Sequence, residues 1–164
     1  MTRRRVTECE TARSVVLVVG LGNPLRGDDG IGPRAVAELE KRALPNGVEA
    51  LDAGTAGLDL LQLMEGWDRV VIVDAADVGK EPGQFVRFTY NQARLVEADD
   101  PFSFHHAGLA DVLALAGALD RQLPPIVIFG VQPGKVGWGE GLSPDLEPRL
   151  PILVDAVLEE VSEQ

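Results

Sequence analysis

The stretch Val15 to Gly32, VVLVVGLGNPLRGDDGIG, limits what this chain can fold into more than any other. It begins with an unbroken apolar run, Val15 to Val19. A run that does not alternate predicts a strand buried on both faces, as in a parallel sheet. Gly20, Gly22, Asn23 and Pro24 then impose a tight loop, which ends in the acidic pair Asp28-Asp29 and Gly30. A helix from about Ile31 to Leu44 follows, with Pro33 in the first turn, where a missing N–H costs little. Ile31, Ala35, Leu39 and Ala43 share one face of it. In open α/β sheets, strand ends of this kind hold the functional site.

The rest of the chain repeats the theme. Val48 to Leu51 reads as a short strand ending at Asp52, and Leu58 to Glu65 as a short helix. Arg69 to Val73 is a buried strand ending at Asp74. Gln84 to Tyr90 alternates like a half-exposed strand, which fits an all-parallel sheet badly and predicts a mixed one. A helix is expected over about His105 to Leu119. Ile126 to Phe129 is a further buried strand, leading into the glycine-rich loop Gly130 to Gly141. A last helix spans Ser143 to about Val161, kinked or broken near Pro148 and Pro151. Strands alternating with helices predict an α/β fold: a three-layer αβα sandwich around a mostly parallel, mixed, twisted sheet.

With 164 residues, the chain suits one domain, 14–164, behind a flexible tail at 1–13. A chain of this size buries roughly 70% of its unfolded surface. The net charge, 15 − 26 = −11, opposes nucleic acid as the main partner, because phosphate binding needs clustered Lys and Arg. No apolar run approaches the ~18 residues of a membrane span. A single cysteine, Cys9, allows no internal disulfide and points to a reducing, cytoplasmic setting. Arg3-Arg4-Arg5 suggests an export signal, but Glu8, Glu10 and Arg13 follow and no small-residue cleavage site does. The default oligomeric state is a monomer.

Polar residues collect at the carboxyl ends of the expected strands: Asn23, Asp28 and Asp29; Asp52 and Thr55; Asp74 and Asp77; Gln132. In a parallel sheet these ends share one edge and converge on one cleft. Of Asp28 and Asp29, one is expected to cap the following helix and the other to face the cleft. Asp74 emerges from a buried run, so its carboxylate needs a partner or a task. His105 and His106, the two histidines, open a helix whose positive dipole end favours neutral imidazole, the metal-binding form. Two carboxylates and one imidazole suit a divalent transition metal, although the spacing matches no local zinc motif.

Several common chemistries lack their signatures. Gly20-Leu21-Gly22 starts like a dinucleotide cradle, but Leu25 stands where the third glycine belongs. No Walker lysine pattern and no Gly-x-Ser-x-Gly elbow is present.

Taken in order, Gly20-Leu-Gly-Asn-Pro-Leu-Arg-Gly-Asp-Asp-Gly-Ile-Gly32, Asp52-Ala-Gly-Thr55, the VVIVDA strand with Asp74, His105-His-Ala-Gly-Leu-Ala-Asp111, and Gly130-Val-Gln-Pro133 with Trp138 resemble the hydrogenase maturation endopeptidases. The resemblance spans about Val15 to Val161. It implies a protease that trims the C-terminal extension of the nickel-iron ([NiFe]) hydrogenase large-subunit precursor after nickel insertion. It implies a twisted sheet between helix layers, of the phosphorylase/hydrolase-like kind, which agrees with the reading above. It also implies three metal ligands: Asp29, Asp74 and His105, the last favoured over His106 by its spacing to Gly108-Leu109. Nickel would arrive with the substrate, and no tightly bound cofactor of the protease's own is expected. No catalytic nucleophile stands out, which favours attack by water near Asp29, Asp74 and His105.

Two other readings remain open at this level. Peptidyl-tRNA hydrolase shares the Val-Gly-Leu-Gly-Asn-Pro opening, but its next residues differ from Leu25-Arg-Gly-Asp-Asp, and the charge opposes tRNA. A non-catalytic chaperone could bind the nickel-loaded subunit without cutting it. Gly134 to Gly141 and Val96 to Phe104 are candidate mobile loops for docking a large partner.

Overall fold

A computed structural model describes residues 14–92 and 107–163. Five strands form one sheet: β1 (Val16–Leu21), β2 (Val48–Gly54), β3 (Arg69–Ala75), β4 (Phe85–Thr89) and β5 (Ile126–Val131). Their spatial order is β2-β1-β3-β5-β4. The first four in that order run parallel, and β4 pairs antiparallel at one edge. The half-exposed alternation of Gln84 to Tyr90 thus becomes an antiparallel edge strand, and the sheet is mixed, as expected.

Residue parity along the buried strands builds two cores. Val16 and Val18 of β1, Val71 and Val73 of β3 and Val127 and Phe129 of β5 face α1 (Ile31–Glu40) and α4 (Leu150–Ser162). Leu17, Val19, Val70, Ile72, Ile126 and Ile128 face α2 (Asp59–Leu63) and α3 (Ala107–Ala118). The three-layer sandwich follows directly from central strands that are apolar on both faces. None of the described helices is long and apolar enough to cross a membrane.

Three element ends differ from expectation. Helix α1 stops at Glu40, so Ala43 is exposed instead of lining the apolar face. Pro45 disfavours helical geometry at Leu44, and the chain must already turn toward β2. Strand β2 runs on to Gly54, beyond Leu51. As an edge strand it leaves Glu49, Leu51 and Asp52 exposed, which hides its strand character in the sequence. The last helix does not start at Ser143: a 3-10 turn over Glu147–Arg149 precedes α4. The expected break near Pro148 is that turn, and Pro151 lies in the first turn of α4, where it needs no N–H partner.

The C-terminal helix is fixed to the sheet by a buried carboxylate. Glu160 of α4 takes a bidentate pair from Arg87 of β4, Nε at 2.6 Å and Nη2 at 2.9 Å. Arg69, at the start of β3, reaches the same side chain at 3.4 Å and the Glu160 carbonyl at 2.7 Å. The Arg87 hydrogen bonds, helped by the charges of Arg87 and Arg69, hold the Glu160 carboxyl below its ordinary value, against the opposing effect of desolvation.

Candidate functional site

The connections around β1 leave it in opposite directions. From β1 the chain crosses by α1 to β2 on one side, and it returns by α2 over the opposite face to β3 on the other side. The carboxyl ends of β1 and β3 therefore flank a topological switch point, the place where open α/β sheets form their crevice. The loop bearing Asp29 leaves β1 there, and Asp74 is the penultimate residue of β3.

Two glycines seat the start of α1 directly on that edge. A Cβ on Gly32 would strike the backbone of Leu21 and come within 2.6 Å of the Val73 carbonyl oxygen. One on Gly20 would strike the Gly32 carbonyl and come within 2.8 Å of Val36. Gly22, at φ +124°, lies so close to the Asp29 carbonyl that no side chain fits. The turn Asp28–Gly30 is thereby pressed against the ends of both β1 and β3.

The two neighbouring acids are both buried and do different work. Neither caps a helix: the N-cap positions are Gly27 and Gly30, with no side-chain capping bond. That corrects the expectation that one of them would cap. The Asp28 carboxylate points away along the chain to the loop after β5. Its Oδ2 accepts from Gly134 N at 2.9 Å, Lys135 N at 2.6 Å and the Ser143 hydroxyl at 2.8 Å, while Oδ1 accepts from Ser143 N at 2.6 Å. Asp29 turns into the first loop, where its Oδ2 accepts from Asn23 N at 2.9 Å. Only 2% of Asp29 and 1% of Asp74 is exposed, so both carboxylates lie inside the fold at this edge.

Asp74 continues the parity of Val70 and Ile72, which face α2 and α3. Its side chain therefore leaves the sheet on the α3 side. His105 and His106 lie outside the described residues, as do Cys9 and the loop Val96 to Phe104. Ala107, two positions after His105, is the first residue of α3. No group of three metal-ligating side chains is assembled among the described residues alone.

The other polar residues at the strand ends turn out to hold loops. Asn23 Oδ1 accepts from Leu25 N, and Asp52 Oδ1 from Gly54 N, each closing its own turn. Asp77 Oδ1 accepts from Gly79 N at 3.3 Å. Gln132 Oε1 accepts from Val78 N at 2.8 Å and Lys80 N at 3.3 Å, tying the loop after β3 to the end of β5. Thr55 is exposed. Ser143 was not anticipated as a partner of Asp28. The two are 115 residues apart, and no local pattern announces the contact. The loop from Gly134, expected to be mobile, is held at Gly134, Lys135 and Ser143 by that one carboxylate.

The family model described as hydrogenase maturation protease matches residues 33–160. The hydrogenase expression/formation protein HupD of Bradyrhizobium diazoefficiens is 34% identical over 90% of this chain and 78% of its own length. The hydrogenase 2 maturation protease of Escherichia coli is 34% identical over 87% of this chain and 88% of its own. The solved structure of the hydrogenase maturating endopeptidase HybD from E. coli superposes with a TM-score of 0.76 at 35% identity, covering 91% of this chain and 93% of that one.

Proposed function

The chain belongs to the hydrogenase maturation protease family, and we propose that this endopeptidase removes the C-terminal extension of the [NiFe] hydrogenase large-subunit precursor once nickel is in place. Asp29, Asp74 and His105 recognise that nickel. The observation carrying this reading is the pair of buried carboxylates flanking the switch point between β1 and β3. Two carboxylates with one imidazole form an oxygen–nitrogen set of the kind that first-row divalent metals accept.

On this reading nickel belongs to the substrate, and the protease supplies no tightly bound cofactor. A metal held between precursor and protease would polarise a nearby carbonyl or lower the pKa of a bound water. The protein's part is to place the scissile segment beside that metal and to keep the carboxylates rigid. The Ser143 hydroxyl donates to Asp28 as part of the loop anchor, and no catalytic nucleophile stands out in the sequence, which favours water as the attacking group. The partner is the precursor protein alone, met in the cytoplasm by a monomeric protease. Family membership replaces the peptidyl-tRNA hydrolase reading.

The test uses nickel-loaded and nickel-free precursor, with the mass of the large subunit as readout. Wild type should shorten only the nickel-loaded form. Asp29→Asn, Asp74→Asn and His105→Ala should fold and leave the precursor at full length. Complete processing by any of the three would remove that residue from the ligand set. Stable binding of the loaded precursor without loss of mass would instead assign the chain a chaperone role.

A further inference from the structure

We propose that Leu25, Val136 and Trp138, with the Arg26 guanidinium over the indole, form the surface that docks the folded body of the hydrogenase precursor. The inference rests on the protease reading above and assigns a place to its partner.

Among the described residues Trp138, at 84%, is the most exposed large apolar side chain, and Leu25 at 50% and Val136 at 48% are exposed with it; Leu58, Leu119 and Ile152 are exposed too, but on other elements. They come from two segments more than a hundred positions apart in the chain, yet backbone bonds join them into one face. Gly139 N donates to Leu25 O and Gly27 N to Gly139 O, both at 2.9 Å. Asp28 N donates to Lys135 O at 3.0 Å and Gly137 N to Arg26 O at 3.4 Å. The Arg26 guanidinium carbon lies 6.0 Å from the centre of the Trp138 ring, within cation–π range.

A tryptophan left in water on a rigid mount is the arrangement interfaces use for an anchor. Its area is large, and little freedom is lost when it is covered. An isolated exposed leucine needs no explanation, whereas three exposed apolar side chains on two loops paired through their backbones do.

The occupant follows from position and charge. The segment that carries Leu25 and Arg26 runs straight into Asp28 and Asp29, so this face adjoins the cleft the precursor must enter. The chain as a whole carries −11, yet the charged residues in the paired segments 23–27 and 134–141 are Arg26, Lys135 and Glu140, all exposed, with a net charge of +1. The complementary surface is therefore apolar, with a carboxylate opposite Arg26. A face built for nucleic acid would need more cations and no glutamate.

The test measures processing of nickel-loaded precursor by the full chain and its Trp138→Ala, Leu25→Ser and Arg26→Ala variants. Trp138→Ala should raise KM about tenfold or more, as interface anchors do, with kcat within about twofold and an unchanged melting temperature. Trp138→Phe should restore most of the loss. Wild-type KM in Trp138→Ala and Leu25→Ser would overturn the docking surface while leaving the protease reading intact. Failure of the wild type to cut loaded precursor would defeat both. A wild-type homodimer in sedimentation that Trp138→Ala dissociates would assign the face to a second copy and overturn the proposal.

Discussion

Replacing Asp28 with asparagine keeps the shape of the side chain and changes only what its two outer atoms can do. In the wild type Oδ2 receives three donors and Oδ1 one, the Ser143 amide at 2.6 Å. If the asparagine oxygen takes the Oδ2 place, its NH2 group faces the Ser143 N–H, donor against donor. If it takes the Oδ1 place, the Gly134 and Lys135 N–H groups are left facing NH2, while the Ser143 hydroxyl can turn to accept, so the first orientation wins. One charge-assisted bond is then lost, worth about 1.5–3 kcal/mol, and the remaining three weaken as the acceptor loses its charge. Gly134 and Lys135 are exposed, so water can reach their amides and recover part of the loss.

The expected cost is about 3 kcal/mol, a large share of the roughly 5–15 kcal/mol that holds a typical domain. For a chain this long, that corresponds to a melting point lower by about 6–12 °C. In urea, with a slope of about 2 kcal/mol/M, the midpoint falls by about 1.5 M. Amide exchange supplies the local readout: protection at Gly134, Lys135 and Ser143 should drop more than protection in β1 or β3. Ser143→Ala removes only the hydroxyl bond and should cost about 1 kcal/mol. An Asp28→Asn protein within about 0.5 kcal/mol of wild type, with unchanged exchange at the three amides, would refute the account; that margin is the usual size of a neutral surface substitution.

Two further outcomes follow from the packing. Gly32→Ala places a methyl group against the backbone of Leu21 and Val73, neither of which is a flexible side-chain end. Denaturant titration should show a loss of about 3 kcal/mol, the upper end for overpacking, together with reduced processing because the Asp29 turn is displaced. Glu160 is held below its ordinary value of 4.5 by Arg87, so its stabilisation is complete above the unfolded-state pKa and fades as pH falls through the lower folded-state one. Glu160→Gln should therefore be less stable at neutral pH and show a shallower loss of stability in acid, read from urea midpoints across the range below about pH 5. Identical acid limbs in the two proteins would exclude Glu160 as the source.

What the sequence revealed depended on how local the cause was. The buried strands were legible because Val16–Leu21, Arg69–Ala75 and Ile126–Val131 must be apolar on both faces to lie between two helix layers. The acids at their ends stood out against those runs, and parity along β3 sends Asp74 to the α3 side. Strand β2 is longer than its sequence suggests because an edge strand carries polar residues such as Glu49 and Asp52 that a central strand excludes. Loop duties were hidden for another reason. Gln132 meets Val78 across 54 residues, and Asp28 meets Ser143 across 115, contacts that only the folded topology creates. Trp138 was visible as part of a motif, but its exposure and its pairing with Arg26 depend on bonds between distant loops.

The division of labour between Asp28 and Asp29 separates two kinds of defect. Asp28 anchors the loop that presents Trp138, yet it shares a peptide bond with Asp29, whose carbonyl is packed against Gly22 at the end of β1. Loosening that anchor frees the docking loop and, through the backbone, the turn that aims Asp29. Asp28→Asn should therefore lower kcat as well as raise KM. Trp138→Ala, which removes an exposed ring and no structural bond, should raise KM alone. If Asp28→Asn retained wild-type kcat on nickel-loaded precursor despite the measured loss of stability, the turn would be held by its packing against Gly22 and Gly32 and not by Asp28. The acid pair would then be two independent residues that happen to be adjacent.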